Sequence, residues 1–188
     1  MIMDYLREHN MIGSLFQVEK EANVQLYKYS KELSFLQNLV LEGQWEDLES
    51  FVLSIFDNCA IFGAENTHNS MAGDAHAQKQ QYLNRISYLI KKQIYLELLL
   101  ANDLENNQNF VVELVKEMEL LSPSKQEHIE LCNLLNYARI QNHPSYAVWN
   151  VSLGRFETFN AIKSIIGESQ VLSPLHQEGQ MGPSSRNF

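Results

Sequence analysis

The stretch from Leu33 to Ile55 constrains the fold more than any other part of the sequence. On each side of Gly43, apolar residues recur at intervals of three and four, which is the spacing of one face of an α-helix. These residues are Leu33, Leu36, Leu39 and Val40 before the glycine, and Trp45, Leu48, Phe51, Val52 and Ile55 after it. Gly43 can adopt the left-handed backbone that ends a helix. We therefore predict two antiparallel helices, one ending near Glu42 and one starting near Gln44, whose apolar faces share a core.

The composition narrows the class of protein. The chain has 188 residues, of which 45% are hydrophobic, and this fits one folded domain or one domain with a small attachment. Its net charge of −9 repels phosphate backbones and anionic lipid, so we predict neither a nucleic-acid partner nor a membrane partner. No apolar run reaches the roughly 18 residues that a membrane span needs. Two cysteines are too few for a disulfide framework, which is typical of a cytoplasmic protein.

The remaining periodic segments also predict helices. Residues 2–10 and 12–22 predict a helical hairpin that is too small to bury its own apolar face, so it must dock on the body of the chain or on a second copy. The longest predicted helix covers residues 81–101. Because apolar residues surround so much of its circumference, we expect it to lie at the centre of the fold. No segment alternates at period two, so we predict no sheet.

Two segments lack helical periodicity. Residues 58–79 predict a flexible surface loop, and residues 168–188, which contain several prolines and glycines, predict a disordered tail. Helix starts are marked by short polar residues. Ser30 is a candidate cap for the first helix of the central pair, Ser124 with Glu127 predicts a capping box, and Ser152 is predicted to cap the last helix.

Three landmarks lie in order along the chain: residues 2–6 with 18–21, residues 42–46 (EGQWE) and residues 92–97 (KQIYLE). They resemble, in turn, the LisH hairpin, the CTLH joint and the helix that follows it, in the order typical of LisH–CTLH–CRA proteins. A further series in the C-terminal part consists of Ser122, Pro123, Ser124, Lys125, Leu131, Cys132, Leu134, Leu135, Arg139, Asn142, His143, Trp149, Asn150 and Phe156. This series resembles the nemitin family of WD-repeat-containing proteins.

The resemblance implies an all-α fold of about seven to nine helices, with a LisH hairpin followed by an antiparallel CTLH–CRA bundle. It divides the chain into a LisH-like dimerisation hairpin (1–26), CTLH-like helices (30–101) that include the 58–79 loop, CRA-like helices (106–167) and the disordered tail. The loop is longer than is typical of that family. The sequence contains no WD-repeat propeller, so the resemblance implies no function that depends on a propeller.

The resemblance also implies a function, that of a non-enzymatic scaffold that forms homodimers and holds microtubule-associated proteins. The dimerisation residues would be Ile2, Tyr5, Leu6, Leu15 and Phe16. Because microtubule surfaces and this chain are both acidic, we expect no direct tubulin contact, and we expect the partner to contribute a basic or amphipathic segment. The location would be cytoplasmic and cytoskeleton-associated. Two alternatives share the architecture: a subunit of a CTLH-type ubiquitin ligase, and a corepressor-like peptide-binding module.

The predicted partner-binding groove lies on the long central helix. Arg85, Tyr88 and Lys92 are three and four residues apart, so they share one helical face. They place two cations and an amphipathic ring beside an apolar helix, although a solvated polar face would have the same pattern. Structural roles are predicted for Gly43, Trp45 and Trp149.

Metal binding and catalysis are both disfavoured. His128 and Cys132 are four residues apart on one predicted helix, and His143 follows. However, the sequence lacks the four ligands at characteristic spacings that a structural zinc site needs. A buried thiol is the simpler account of Cys132. The sequence has no phosphate-binding glycine loop with its lysine, no serine elbow and no kinase motif. We therefore predict no catalytic residues, no cofactor and no metal.

Overall fold

In the computed structural model of the chain, the residues that are described are 2, 5, 6, 9, 11–22, 29–59, 71–101, 107–137 and 139–169. Regular structure in these ranges is helical, with no strand, which confirms the all-α prediction. The described α-helices are α1 (Ile12–Ala22), α2 (Lys31–Glu42), α3 (Trp45–Asp57), α4 (Met71–Ala101), α5 (Gln108–Leu121), α6 (Lys125–Asn133) and α7 (Val151–Ser169). None of them combines the length and the apolar composition that crossing a bilayer requires. The LisH–CTLH–CRA arrangement and the total helix number stay predictions.

The joint between α2 and α3 forms as the sequence predicts. The hydroxyl of Ser30 caps α2 by accepting a hydrogen bond from the Leu33 amide. At the other end, Gly43 has a φ of 73°, in the left-handed region. The amide of Gly43 donates to the Val40 carbonyl, and the Gln44 amide donates to the Leu39 carbonyl. This pair of bonds is a Schellman motif, which satisfies carbonyl groups that the helix end leaves unpaired.

The prediction of a loop over residues 58–79 is wrong for residues 71–79, which are helical. Helix α4 begins at Met71, well before the predicted start at Gln81. The alanines, glutamines and lysine of this segment are good helix formers, although they lack the apolar periodicity on which the prediction relied. Lys79 also forms an ion pair with Asp57 at the end of α3, with 2.7 Å between Nζ and Oδ1. Residues 60–70 lie outside the described ranges.

The last helix differs from its prediction at both ends. Its start is capped by Asn150, whose Oδ1 accepts a hydrogen bond from the Leu153 amide at 3.0 Å, and Ser152 lies inside the helix. At the other end, α7 continues to Ser169, which is buried and donates its hydroxyl proton to the Ile166 carbonyl. The predicted tail therefore cannot begin at residue 168, and residues 170–188 are not described.

Among the described residues, two apolar clusters form the core, and α4 contributes to both, as the prediction of a central helix requires. The first cluster joins α2, α3 and α7 to the first half of α4, around Phe56, Ile90 and Phe159. The second joins α5, α6 and the following 3-10 turns to the other half of α4, around Tyr95 and Met118. Trp149 belongs to the second cluster and packs beside the start of α7.

The N-terminal segment is only partly available for dimerisation. Helix α1 packs against α7 of its own chain. Leu6 and Leu15 are buried within this single chain. They could form the predicted dimer contact only if their packing within the chain opened. Ile2 and Tyr5 are 73% and 55% exposed. The side chain of Phe16 lies outside the described part of the structure.

Candidate partner-binding groove

The three residues of the predicted groove do not share one open surface. Arg85 is exposed and pairs with Glu168 of α7, with 2.9 Å between Nη1 and Oε2. Tyr88 is 3% exposed and belongs to the second core cluster. The Lys92 Nζ lies 5.9 Å from the centroid of the Tyr88 ring and 2.7 Å from the Glu127 carboxylate of α6. Tyr88 and Lys92 are therefore brought together against α6, whereas Arg85 is turned toward α7.

The Tyr88–Lys92–Glu127 contact joins α4 to α6. Burial raises the pKa of the Tyr88 hydroxyl well above its ordinary value. Burial also acts to raise the pKa of Glu127, but the hydrogen bond from Lys92 and the positive charge of Lys92 outweigh it and lower that pKa. Lys92 and Glu127 also line an open, mostly polar concavity of about 960 Å³. Because Lys92 is already paired there, this concavity offers a ligand little uncompensated charge.

A second concavity, the acidic groove, has a more distinctive composition. It lies where the start of α3, residues 91–94 of α4 and residues 110–117 of α5 meet, and its volume is about 520 Å³. The described residues that line it are Gly43, Gln44, Trp45, Glu46, Asp47, Glu49, Lys91, Ile94, Phe110, Glu113, Leu114 and Glu117. Apart from the joint residues Gly43 and Trp45, sequence reasoning missed this site.

The floor of the acidic groove is apolar. Leu114 is buried, Ile94 and Trp45 are partly buried, and Phe110 in the first turn of α5 leaves 48% of its surface exposed. An aromatic side chain of this size exposes a large apolar area that the fold itself does not use. The floor can therefore receive an apolar side chain from outside the domain.

The rim of the acidic groove is strongly negative. Five carboxylates and a single ammonium group, that of Lys91, are among its described lining residues. Glu46 and Asp47 lie in the first turn of α3, where the helix dipole favours negative charge. Glu113 and Glu117, however, are four residues apart on α5, where like charges destabilise a helix. The i, i+4 spacing of this pair therefore adds no stability to α5 on its own.

Lys91 compensates part of the charge on the rim. Its Nζ lies 2.6 Å from the Glu117 carboxylate and 4.0 Å from that of Glu49. Both glutamate side chains remain roughly half exposed, at 55% and 42%. The carboxylates of Glu46, Asp47 and Glu113 are exposed to solvent at the same rim.

Trp45 is held in place by Arg155 of α7, a residue that sequence reasoning did not single out. The guanidinium carbon lies 5.5 Å from the centroid of the Trp45 ring. Its Nε and Nη2 donate to the two Glu97 oxygens at 2.8 and 2.7 Å, and its Nη1 donates to the Leu41 carbonyl at 2.9 Å. A Cβ at Gly43 would overlap this guanidinium, so the joint needs glycine for space as well as for conformation. These contacts, the Arg155 network, fix the inner edge of the acidic groove.

Metal-ligating residues are not assembled in the part of the chain that is described. No group of three or more His, Cys, Asp or Glu side chains there is placed to hold an ion. The Cys132 Sγ lies 3.5 Å from the His128 Nε2, and burial raises the pKa of this thiol, which disfavours the thiolate that a metal would need. His143 accepts a hydrogen bond from the Ser145 amide instead.

Comparison with known families adds no assignment. A scan of the chain against models of known protein families matches none of them. The likeness to LisH–CTLH–CRA proteins therefore depends on the ordered motifs of the sequence.

Proposed function

We propose that this chain is a non-enzymatic interaction scaffold that holds a basic, amphipathic segment of a microtubule-associated protein in the acidic groove. The single observation that supports this is the pairing of an apolar floor, with Phe110 half exposed, and a rim of five carboxylates. Basic side chains of a partner would meet the rim, and apolar ones would meet the floor.

The charge of the whole chain supports an indirect attachment to microtubules. Its net charge is −9, and the microtubule surface is also acidic, so the two surfaces repel each other. A partner with a basic segment avoids this repulsion, because it can bind both the chain and the microtubule surface. We therefore propose a cytoplasmic, cytoskeleton-associated location with no direct tubulin contact.

We further propose that the scaffold is a homodimer that pairs through its N-terminal segment. Ile2 and Tyr5 are large apolar residues that the single chain leaves exposed. Covering them with a second copy would remove this area from water. A dimer would present two acidic grooves, and two linked sites bind a multivalent partner more tightly than one site does.

The dimer is tested with charges placed at these exposed positions. Ile2→Asp combined with Tyr5→Asp is expected to convert a dimer into a monomer, because the contact would have to bury two carboxylates. Light scattering measures the mass of each form. The control is Leu120→Asp on α5, where the side chain is 86% exposed outside the N-terminal segment, and there the mass should not change. A monomeric parent chain would refute the dimer.

The microtubule proposal is tested by co-sedimentation at near-physiological salt, about 0.15 M. We expect the chain to sediment with microtubules that retain their associated proteins, and to stay in solution with microtubules of purified tubulin. Glu113→Lys is expected to reduce the sedimented fraction about fivefold, because it replaces an attraction at the groove by a repulsion.

The matched control for this variant lies on the same helix. Glu119 is also exposed on α5 but does not line the acidic groove, so Glu119→Lys makes the same charge change and should leave sedimentation intact. Sedimentation with purified tubulin alone would contradict the proposal. Enrichment of ubiquitin-ligase subunits, or of short repression motifs, in place of microtubule-associated proteins would favour one of the two alternative functions.

A further inference from the structure

We propose that the occupant of the acidic groove is an amphipathic α-helix, and that one of its basic side chains displaces Lys91 from Glu117. This inference rests on the proposed function and specifies the chemistry of the ligand. Lys91 then acts as an internal competitor, and removing its charge increases the affinity of the groove for a basic ligand.

The spacing of the groove residues on α5 favours a helical ligand. Phe110, Glu113, Leu114 and Glu117 fall at positions i, i+3, i+4 and i+7, so they form one face that extends over two turns, about 10 Å along the helix. A helical ligand that lies along this face can carry two basic residues four positions apart. These would lie opposite Glu113 and Glu117, which have the same spacing. The apolar side of the ligand then covers Phe110, as in helix-in-groove recognition.

The position of Lys91 marks where a ligand cation binds. Its Nζ is held by Glu117 at 2.6 Å and approached by Glu49 at 4.0 Å, and 20% of its side chain is exposed. Lys91 comes from α4, while the two carboxylates come from α5 and α3, so the groove already gathers acceptors from two helices around a single cation. An arginine can make a bidentate contact with a carboxylate, which the lysine ammonium cannot, so an incoming arginine competes well for Glu117.

The test uses the full chain and a labelled peptide of roughly 18 residues that forms an amphipathic helix. The peptide has leucines on one face and arginines four apart on the other, and a scrambled peptide of the same composition controls for charge alone. Fluorescence anisotropy at about 0.15 M salt gives the dissociation constants. We expect the patterned peptide to bind at least about fivefold more tightly than the scrambled one, because only the patterned helix covers Phe110 and Glu117 together.

Lys91→Gln is the decisive variant, with Lys116→Gln as its matched control. Both remove one positive charge, but Lys116 is an exposed residue of α5 that does not line the acidic groove. We expect Lys91→Gln to tighten binding of the patterned peptide about three- to tenfold, because Glu117 and Glu49 become free to pair with the ligand. Lys116→Gln should have a much smaller effect, because its charge is farther from the ligand and is screened.

Three negative results can be told apart. If the parent chain binds the patterned peptide but Lys91→Gln leaves the affinity unchanged or weakens it, the displacement of Lys91 is refuted and the proposed function stands. If neither form binds either peptide, the groove does not hold basic helices, and both proposals fall. Equal binding of the two peptides would show attraction by charge alone, which refutes the helical ligand.

Discussion

Gly154→Ala is expected to destabilise the fold by about 2 kcal/mol net, because the cost of overpacking exceeds the gain in helix propensity that alanine brings. Gly154 is buried near the start of α7, next to Gln93 of α4. A Cβ there would overlap the ring of Trp149 and the side-chain amide of Gln93, and both neighbours are themselves buried. Neither can move freely, so the methyl group would push α7 away from α4. Urea unfolding followed by circular dichroism measures the loss.

The same helix provides the control. Gly167 also lies in α7, but among the described residues no atom outside the backbone of its own helix lies within 4 Å of a Cβ built on it. Gly167→Ala is therefore expected to stabilise the fold by about 0.5–1 kcal/mol, through helix propensity alone. If both variants gained stability, α7 and α4 would not be in the contact described, and the packing around Trp149 would be wrong.

Arg155→Ala is expected to lower the free energy of unfolding by about 3 kcal/mol. The Arg155 and Glu97 side chains are each 19% exposed, so they form a largely buried, bidentate ion pair. Removing the arginine leaves the Glu97 carboxylate without its cation and the Leu41 carbonyl without its donor. An uncompensated buried charge costs more than the intact pair contributes. Denaturant unfolding measures the loss, and a change in tryptophan emission would report the altered environment of Trp45.

Two companion variants separate charge from geometry. Arg155→Lys keeps the charge but cannot make the bidentate contact, so it should recover less than half of the loss. Arg155→Ala combined with Glu97→Gln should be more stable than Arg155→Ala alone, because the stranded carboxylate is removed. If the double variant were no better than the single one, packing against Trp45 and not the ion pair would be the main role of Arg155.

Much of the helical framework could be predicted because its signals are local. The left-handed turn at Gly43 and the Ser30 cap depend on residues within four positions of each other, and both form as predicted. The start of α4 at Met71 could not be found from apolar periodicity, because that segment is polar and is helical through propensity and its contact with Asp57. The Asn150 cap competes with Ser152, and the sequence alone does not choose between two good caps so close together.

By itself the sequence determined the all-α class, the position of the joint and the central place of the long helix, because each follows from side-chain spacing along one helix. Only the tertiary structure decided where the charges meet. Arg155 forms an ion pair with Glu97, 58 positions away in the sequence, and Lys91 of α4 forms one with Glu117 of α5. The spacing that places Arg85 and Tyr88 on one helical face does not show that Tyr88 is buried. Charge pairing and burial depend on distances between helices, and helical periodicity does not specify those distances.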